Sequence, residues 1–242
     1  MEFEYKKIRW EKRLRHMRVS TIAILVSLIL LIMFAGFTIY GNKVGNFIVN
    51  INNGGVRIAL SAKEDMSERS SRLTFSGLSG QGETTFVDIP SDISNGMGDK
   101  SDKLVLRYLA YSFYLINESE NGVDYVMDLN VIDTVGDPLS VLRVMVIEGD
   151  KPTNDPSNMI FAKDEPTTAA QEVLKATLLR YGYYETRPFV SDSVLFSIRG
   201  RDLPPEVGQK YTVVIWTEGW DAQCTDDRLG DRVKMQIDIL AS

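Results

Sequence analysis

The stretch Leu104–Asn117, LVLRYLAYSFYLIN, carries the strongest β-strand signal in the chain. It is rich in aromatic and large aliphatic residues, which favour strands. Its length exceeds that of an average strand, so we predict a bend or a bulge partway along it. The aromatic side chains of Tyr108, Tyr111, Phe113 and Tyr114 are better explained by core and cross-strand packing than by a ligand platform.

Shorter runs on either side of this stretch have the alternating pattern and the flanking turn residues of further strands. One other run, Thr167–Arg180, has apolar residues spaced as in a helix of three to four turns. Together these runs predict that residues 41–242 form an all-β sandwich that also contains one helix. The predicted strands are Phe47–Ile51, Val56–Leu60, Tyr125–Ile132, Ser140–Ile147, Val194–Ile198, Tyr211–Trp216 and Val233–Leu240.

The turn residues between these runs also predict which strands pair. Phe47–Ile51 and Val56–Leu60 flank an Asn-Asn-Gly-Gly turn, which is typical of a β-hairpin. The runs from Leu104 to Ile147 are joined by short turns at 118–122 and 136–138. Short turns join antiparallel neighbours, so these runs predict a meander.

The segment Val19–Tyr40, VSTIAILVSLILLIMFAGFTIY, contains no charged residue. As a helix of about 22 residues it would be roughly 33 Å long, enough to cross a hydrocarbon core of about 30 Å. A soluble helix would show a polar stripe, and this segment has none. We therefore predict one transmembrane helix over residues 19–40, which contacts the lipid bilayer.

The residues that flank this segment predict its orientation. Residues 1–18 hold seven Lys or Arg and three Glu, whereas Lys43 is the single charge directly after the span. The positive-inside bias places residues 1–18 in the cytoplasm as a basic head and residues 41–242 outside the cell. We interpret the span as an uncleaved signal anchor. A cleaved secretory signal has the same order of residues and is the alternative, but the run exceeds an h-region of about 7 to 15 residues.

The charge and the rare residues exclude several classes of function. The net charge is −6 and the head carries +4 (7 minus 3), so the remaining residues carry −10. An acidic exterior argues against a nucleic-acid partner, which would require a basic stripe. Cys224 is the single cysteine, so an intrachain disulfide is excluded. The single histidine is His16 in the head, which excludes histidine triads and histidine zinc sites from residues 41–242.

The segment Trp216–Asp227, WTEGWDAQCTDD, concentrates tryptophan, cysteine and carboxylates. Closely spaced oxygen ligands suit Ca²⁺, although the spacing matches no EF-hand. The simpler interpretation is a solvated acidic loop between two strands, with Cys224 as a buried small hydrophobe. The candidate calcium ligands are Asp221, Asp226, Asp227 and Asp231.

Several short motifs together resemble the camelysin/TasA-like secreted proteins of Firmicutes, which are subunits of biofilm-matrix fibres. The motifs are Gly-Asn-Phe-x-Val from Gly45, Tyr-x-Phe-x-Leu-x-Asn from Tyr111, Arg-Val-x-Val from Arg143 and Tyr-Thr-Val-x-Ile-Trp-x-Glu-Gly from Tyr211. The resemblance implies a jelly-roll-like antiparallel sandwich at the cell surface that assembles by strand exchange. Those proteins are usually cleaved from their signal, and camelysin is described as a metallopeptidase. Residues 41–242 contain no histidine and no HExxH motif, so this peptidase activity is not expected here.

Two functions of different class follow. The first is a membrane-anchored bacterial surface protein with a structural, adhesive or matrix-assembly role and no cofactor. It associates with itself or with a surface protein partner by exchange of Phe47–Ile51, an exposed apolar strand. The alternative is a glycan-active hydrolase that uses paired carboxylates, with Asp221 and Asp226 as the first candidates.

Overall fold

The structure is a computed structural model that describes residues 24, 26–33, 47–53, 56–75, 84–95, 108–163, 185–219, 221, 223–226 and 231–241. The chain forms two compact units, Met1–Val44 and Gly45–Ser242. Residues 26–33 are helical, and no helix among the described residues is both long and apolar enough to cross a membrane. The head, most of the span 19–40 and the predicted helix Thr167–Arg180 lie outside the described residues.

The second unit is built from β-strands in two sheets. One sheet has the order β3-β1-β11-β5-β9, and the other has the order β2-β4-β10-β6-β7-β8. The strands are β1 (Phe47–Asn53), β2 (Ile58–Ser61), β3 (Arg72–Phe75), β4 (Tyr108–Asn117), β5 (Val123–Val135), β6 (Leu142–Glu148), β7 (Met159–Ala162), β8 (Arg187–Pro188), β9 (Val194–Leu203), β10 (Gly208–Thr217) and β11 (Arg232–Ala241). The expectation of a β-rich domain is confirmed, and most predicted strands are present.

The predicted strand pairing is wrong. β1 belongs to the five-stranded sheet and β2 to the six-stranded sheet, so the two runs around the Asn-Gly turn do not form a hairpin. β4, β5 and β6 also alternate between the sheets instead of forming a meander. The physical reason is that each strand must bury its apolar face in the core. Two consecutive strands can do this as neighbours in one sheet, or equally well as members of two facing sheets.

The sheets are mixed and not purely antiparallel. β1 runs parallel to β11, and β7 runs parallel to β8, while the other strand pairs are antiparallel. β1 also pairs with β3 on its other side, and Val49 in its centre is fully buried. The interpretation of Phe47–Ile51 as an exposed strand is therefore wrong.

One hydrophobic core joins the inner faces of the two sheets. It includes Val49 and Ile237 from the five-stranded sheet and Phe113, Val146 and Val213 from the six-stranded sheet. Because period-2 alternation places every second residue on this face, the strands contribute residues at intervals of two.

A second, smaller cluster lies on the outer face of the six-stranded sheet. Ile89 and Ile93, from residues 84–95, pack there against Met145, Ile147 and Val214. The outer face of this sheet is therefore covered in part, and all ten residues of β4 are buried. We call residues 84–95 the strap. It contains two short 3₁₀ turns, Phe86–Asp88 and Ile93–Asn95.

Candidate functional site

The carboxylate-rich segment that follows β10 folds back against the end of the six-stranded sheet. The Glu218 N–H donates to the Val141 carbonyl at 2.9 Å. The Asp221 N–H donates to the Glu218 carbonyl, and the Cys224 N–H donates to the Asp221 carbonyl. These successive turns fix where the side chains of Glu218 and Asp221 point.

Asp221 forms an ion pair with Arg143 of β6. The Arg143 Nη2 donates to Asp221 Oδ2 at 2.6 Å, and the two side chains are 10% and 12% exposed. Arg143 also donates to the Leu142 carbonyl, and Asp221 Oδ1 accepts the Gln223 N–H at 2.9 Å. A pair this well shielded from water is held by hydrogen bonds from several sides, so Asp221 joins the loop to the sheet.

Glu218 has a second partner within the same strand end. Trp216 is 1% exposed, and its indole N–H donates to Glu218 Oε2 at 3.0 Å. The ring of Phe86 from the strap lies 6.3 Å from the Trp216 ring. The Glu218 residue is 2% exposed, and its carboxylate satisfies the buried indole N–H of Trp216.

The four predicted calcium ligands have different surroundings. Asp221 is paired with Arg143, whereas Asp226 is exposed. Asp231 accepts the Asp137 N–H at 3.1 Å and lies against Gly136, whose φ of +77° and lack of a Cβ allow the approach. Asp227 lies outside the described residues. In the part of the chain that the structure describes, no three acidic, histidine or cysteine residues are grouped to hold a metal ion.

Cys224 is half-buried and not fully buried. Its main chain closes the turn that begins at Asp221.

A buried asparagine, to which the sequence analysis gave no structural role, holds the opposite end of the domain. Asn117 is fully buried, and its amide donates to the carbonyls of Asn121 and Leu203, both at 2.7 Å. Its Oδ1 accepts the Ser119 N–H at 2.8 Å. Asn117 therefore ties the β4–β5 turn to the end of β9. The position of an Asn directly after an apolar strand is a weak signal for such a role.

Tyr125 and Tyr211 form a buried pair that bridges the two sheets. Their hydroxyls hydrogen-bond to each other across the core, and the Tyr125 ring covers Gly200 on β9, where a Cβ would overlap it. Burial raises the pKa of Tyr211, and the hydrogen bond with Tyr125 raises it further. Burial likewise raises the pKa of Tyr125. Both groups are neutral near pH 7 and act as a polar link inside an apolar core.

The residues that carry the family resemblance are mostly core positions. Tyr111, Phe113 and Leu115 are all 0% exposed and point into the main core. No protein-family model matches the chain, and a search of curated proteins found no match either.

Proposed function

We propose that this chain is a membrane-anchored bacterial cell-surface protein whose jelly-roll-like domain has a structural, adhesive or matrix-assembly role. Residues 19–40 are the signal anchor, residues 1–18 lie in the cytoplasm and residues 41–242 lie outside the cell. The uncharged segment 19–40 and the excess of Lys and Arg before it support this topology.

The observation that supports the proposed role is that the buried carboxylates of the candidate site are bound to neighbouring side chains. Asp221 is bound to Arg143, and Glu218 is bound to Trp216. A retaining glycosidase requires two carboxyl groups about 5 to 5.5 Å apart, one of them free to transfer a proton. Of the two candidates for the hydrolase, Asp221 is held in a buried ion pair and Asp226 is exposed. Such groups support a scaffold role better than acid–base catalysis.

Self-association by exchange of β1 is part of the proposal. β1 is aligned with β11 over seven positions and with β3 over four. If β1 of one copy left its sheet, the edges of both neighbours would be open to the β1 of another copy. The edge strands of the two sheets are poorer sites for the addition of a strand from another copy. β2, β3 and β8 are short, and β9 has two irregularities in its pairing with β5. Bulges and short length are features that block the addition of a strand.

The topology is tested by adding protease to intact cells that make the protein with a tag after Ala241. We expect loss of the tag and survival of an N-terminal fragment that contains residues 1–18. The matched control replaces Lys6, Lys7, Arg9, Lys12, Arg13 and Arg15 by neutral residues, which should weaken the orientation. A tag that is protected in intact cells and cut only after lysis would contradict the proposal.

The role of β1 is tested with a chain that starts at Val44 and one that starts at Asn53 and so lacks most of β1. Sedimentation at several concentrations should show association of the first chain. A labelled peptide of residues 47–53 should bind the second chain, and a scrambled peptide should not. Monomer masses for both chains with no peptide binding would rule out exchange of β1.

A catalytic role is tested in the same material with cell-wall glycans as substrate. The proposal predicts no hydrolysis above the background of the buffer. Hydrolysis that is lost in both Asp221→Asn and Asp226→Asn would replace the scaffold role by the hydrolase.

A further inference from the structure

The strap is held to the rest of the domain by few main-chain hydrogen bonds. Between described residues these are the Thr84 N–H to the Thr217 carbonyl, the Gly219 N–H to the Thr84 carbonyl and the Thr153 N–H to the Ser91 carbonyl. The Ser94 hydroxyl adds a bond to the Lys151 carbonyl. By contrast, β4 is aligned with β10 over nine positions. Among the described residues, detaching the strap therefore breaks far fewer main-chain hydrogen bonds than detaching β4.

The strap covers apolar surface that would otherwise face water. Ile89 and Ile93 are 4% and 1% exposed on the cluster with Met145, Ile147 and Val214. The cluster is separate from the main core between the sheets. Removing the strap would leave that core closed, because the inner faces of the sheets would still pack on each other.

A buried ion pair helps to fix the loop that holds the start of the strap. Thr84 bonds to Thr217 and Gly219, which lie at the beginning of the loop that contains Asp221. The Asp221 side chain joins this loop to β6 through Arg143 at 2.6 Å. The start of the strap and the loop share hydrogen bonds, so a displacement of the loop removes the anchorage of the strap at Thr84.

We propose that the strap and the described loop residues 217–219, 221, 223 and 224 form one cooperative unit that opens from the outer face of the six-stranded sheet while both sheets stay folded. The Arg143–Asp221 ion pair is the latch that sets how often the unit opens. Segments with few long-range hydrogen bonds and their own small apolar cluster are the ones that open sub-globally in folded proteins. This inference concerns the fold alone and does not depend on the proposed function.

The test is hydrogen exchange measured by mass spectrometry on the full-length protein in detergent micelles. Asp221→Asn should speed exchange in peptides from 84–95 and 217–224 by about ten- to a hundredfold, because a buried Arg143 loses its charge partner. Peptides from β4 and β10 should change less than about twofold. The matched control is Asp226→Asn, which makes the same charge change at an exposed position of the same loop. It should leave all of these rates unchanged.

A second variant tests whether the two segments open together. Ile93→Ala weakens the strap without touching the loop, so it should speed exchange in 217–224 as well as in 84–95. In the unsubstituted protein, the free energy of opening obtained from exchange should fall with denaturant concentration with the same slope in both segments. This slope should be smaller than the slope for β4. Exchange that rises by the same factor in the strap and in β4 would overturn the proposal, as would a strap that does not respond to Asp221→Asn.

Discussion

The two sheets of the domain differ in how they bury their strands. β4 of the six-stranded sheet has ten consecutive buried residues, whereas β11 of the five-stranded sheet alternates between buried and partly exposed positions. The outer face of the first sheet is covered in part by the strap, and the outer face of the second carries polar residues such as Asn50, Gln236 and Asp238. The sequence of a strand covered on both faces is a continuous apolar run. The sequence of a strand covered on one face alternates between apolar and polar residues. The sequence pattern therefore indicates both where a strand lies and whether one or both of its faces are covered.

The largest difference in stability between substitutions on the outer faces of the two sheets should come from the buried Arg143. Arg143→Met leaves Asp221 without its partner and should lower the free energy of unfolding by about 3–5 kcal/mol. Arg72→Met, at an exposed position of β3, should change it by less than about 0.5 kcal/mol. Denaturant unfolding of both variants measures the difference. Similar values would mean that the outer faces do not differ in the way described.

Two isoleucines make the same comparison for apolar packing. Ile147 is fully buried on the outer face of β6, and Ile132 on β5 is 51% exposed. We expect Ile147→Ala to cost about 2–5 kcal/mol of the free energy of unfolding, since it leaves a cavity. Ile132→Ala should cost less than about 0.5 kcal/mol. A small loss at Ile147 would show that the cover over this face is loose.

The tyrosine pair between the sheets should make the domain sensitive to alkali. Burial raises the pKa of Tyr125 and of Tyr211 in the folded state, while unfolded tyrosines ionise near pH 10. Above about pH 10 the unfolded state therefore holds fewer protons, and the free energy of unfolding should fall by up to about 1.4 kcal/mol per pH unit for each tyrosine. Unfolding measured from pH 8 to pH 11.5 tests this.

The control for the alkaline effect is the double variant Tyr125→Phe, Tyr211→Phe. Its curve should be flatter over the same range, because the two buried groups can no longer ionise on unfolding. Equal slopes for the two proteins would exclude the pair as the cause.

The smallest expected effect lies on the outer face of the five-stranded sheet and has the opposite sign. Asp128 lies across from Asp238, and its Oδ1 is closed to solvent without a hydrogen bond within the described part of the chain. Like charges placed opposite each other destabilise a sheet, so Asp128→Asn should raise the free energy of unfolding by about 0.2–1 kcal/mol. Asp133 lies opposite Lys234, and Asp133→Asn should lower it by a similar amount. A loss of stability in Asp128→Asn would contradict this explanation.

The sequence predicted strands well because each strand is a local pattern. The runs at Tyr125–Ile132, Tyr211–Trp216 and Val233–Leu240 all lie inside observed strands. It did not predict the sheet to which each strand belongs. The Asn-Gly turn after β1 is a local hairpin signal, but β2 pairs with β4, and this choice depends on residues far away in the chain.

The role of the acidic loop could not be predicted from the sequence for a related reason. The sequence grouped Asp221, Asp226, Asp227 and Asp231 because they are close in the chain. The partner that decides the role of Asp221 is Arg143, which lies 78 positions earlier. A pattern search over neighbouring residues cannot find such a partner, so the sequence left the calcium site and the solvated acidic loop as two interpretations.

The parallel ladder between β1 and β11 has a consequence for biosynthesis. Phe47 is aligned with Met235, so the ladder joins residues that are 188 positions apart (235 minus 47). Contacts between residues this distant in the chain form late and slowly, because a long loop must close first. The five-stranded sheet therefore cannot be completed while the ribosome is still adding the residues of β11. We expect β1 to lack its parallel partner throughout the synthesis of the residues that precede β11.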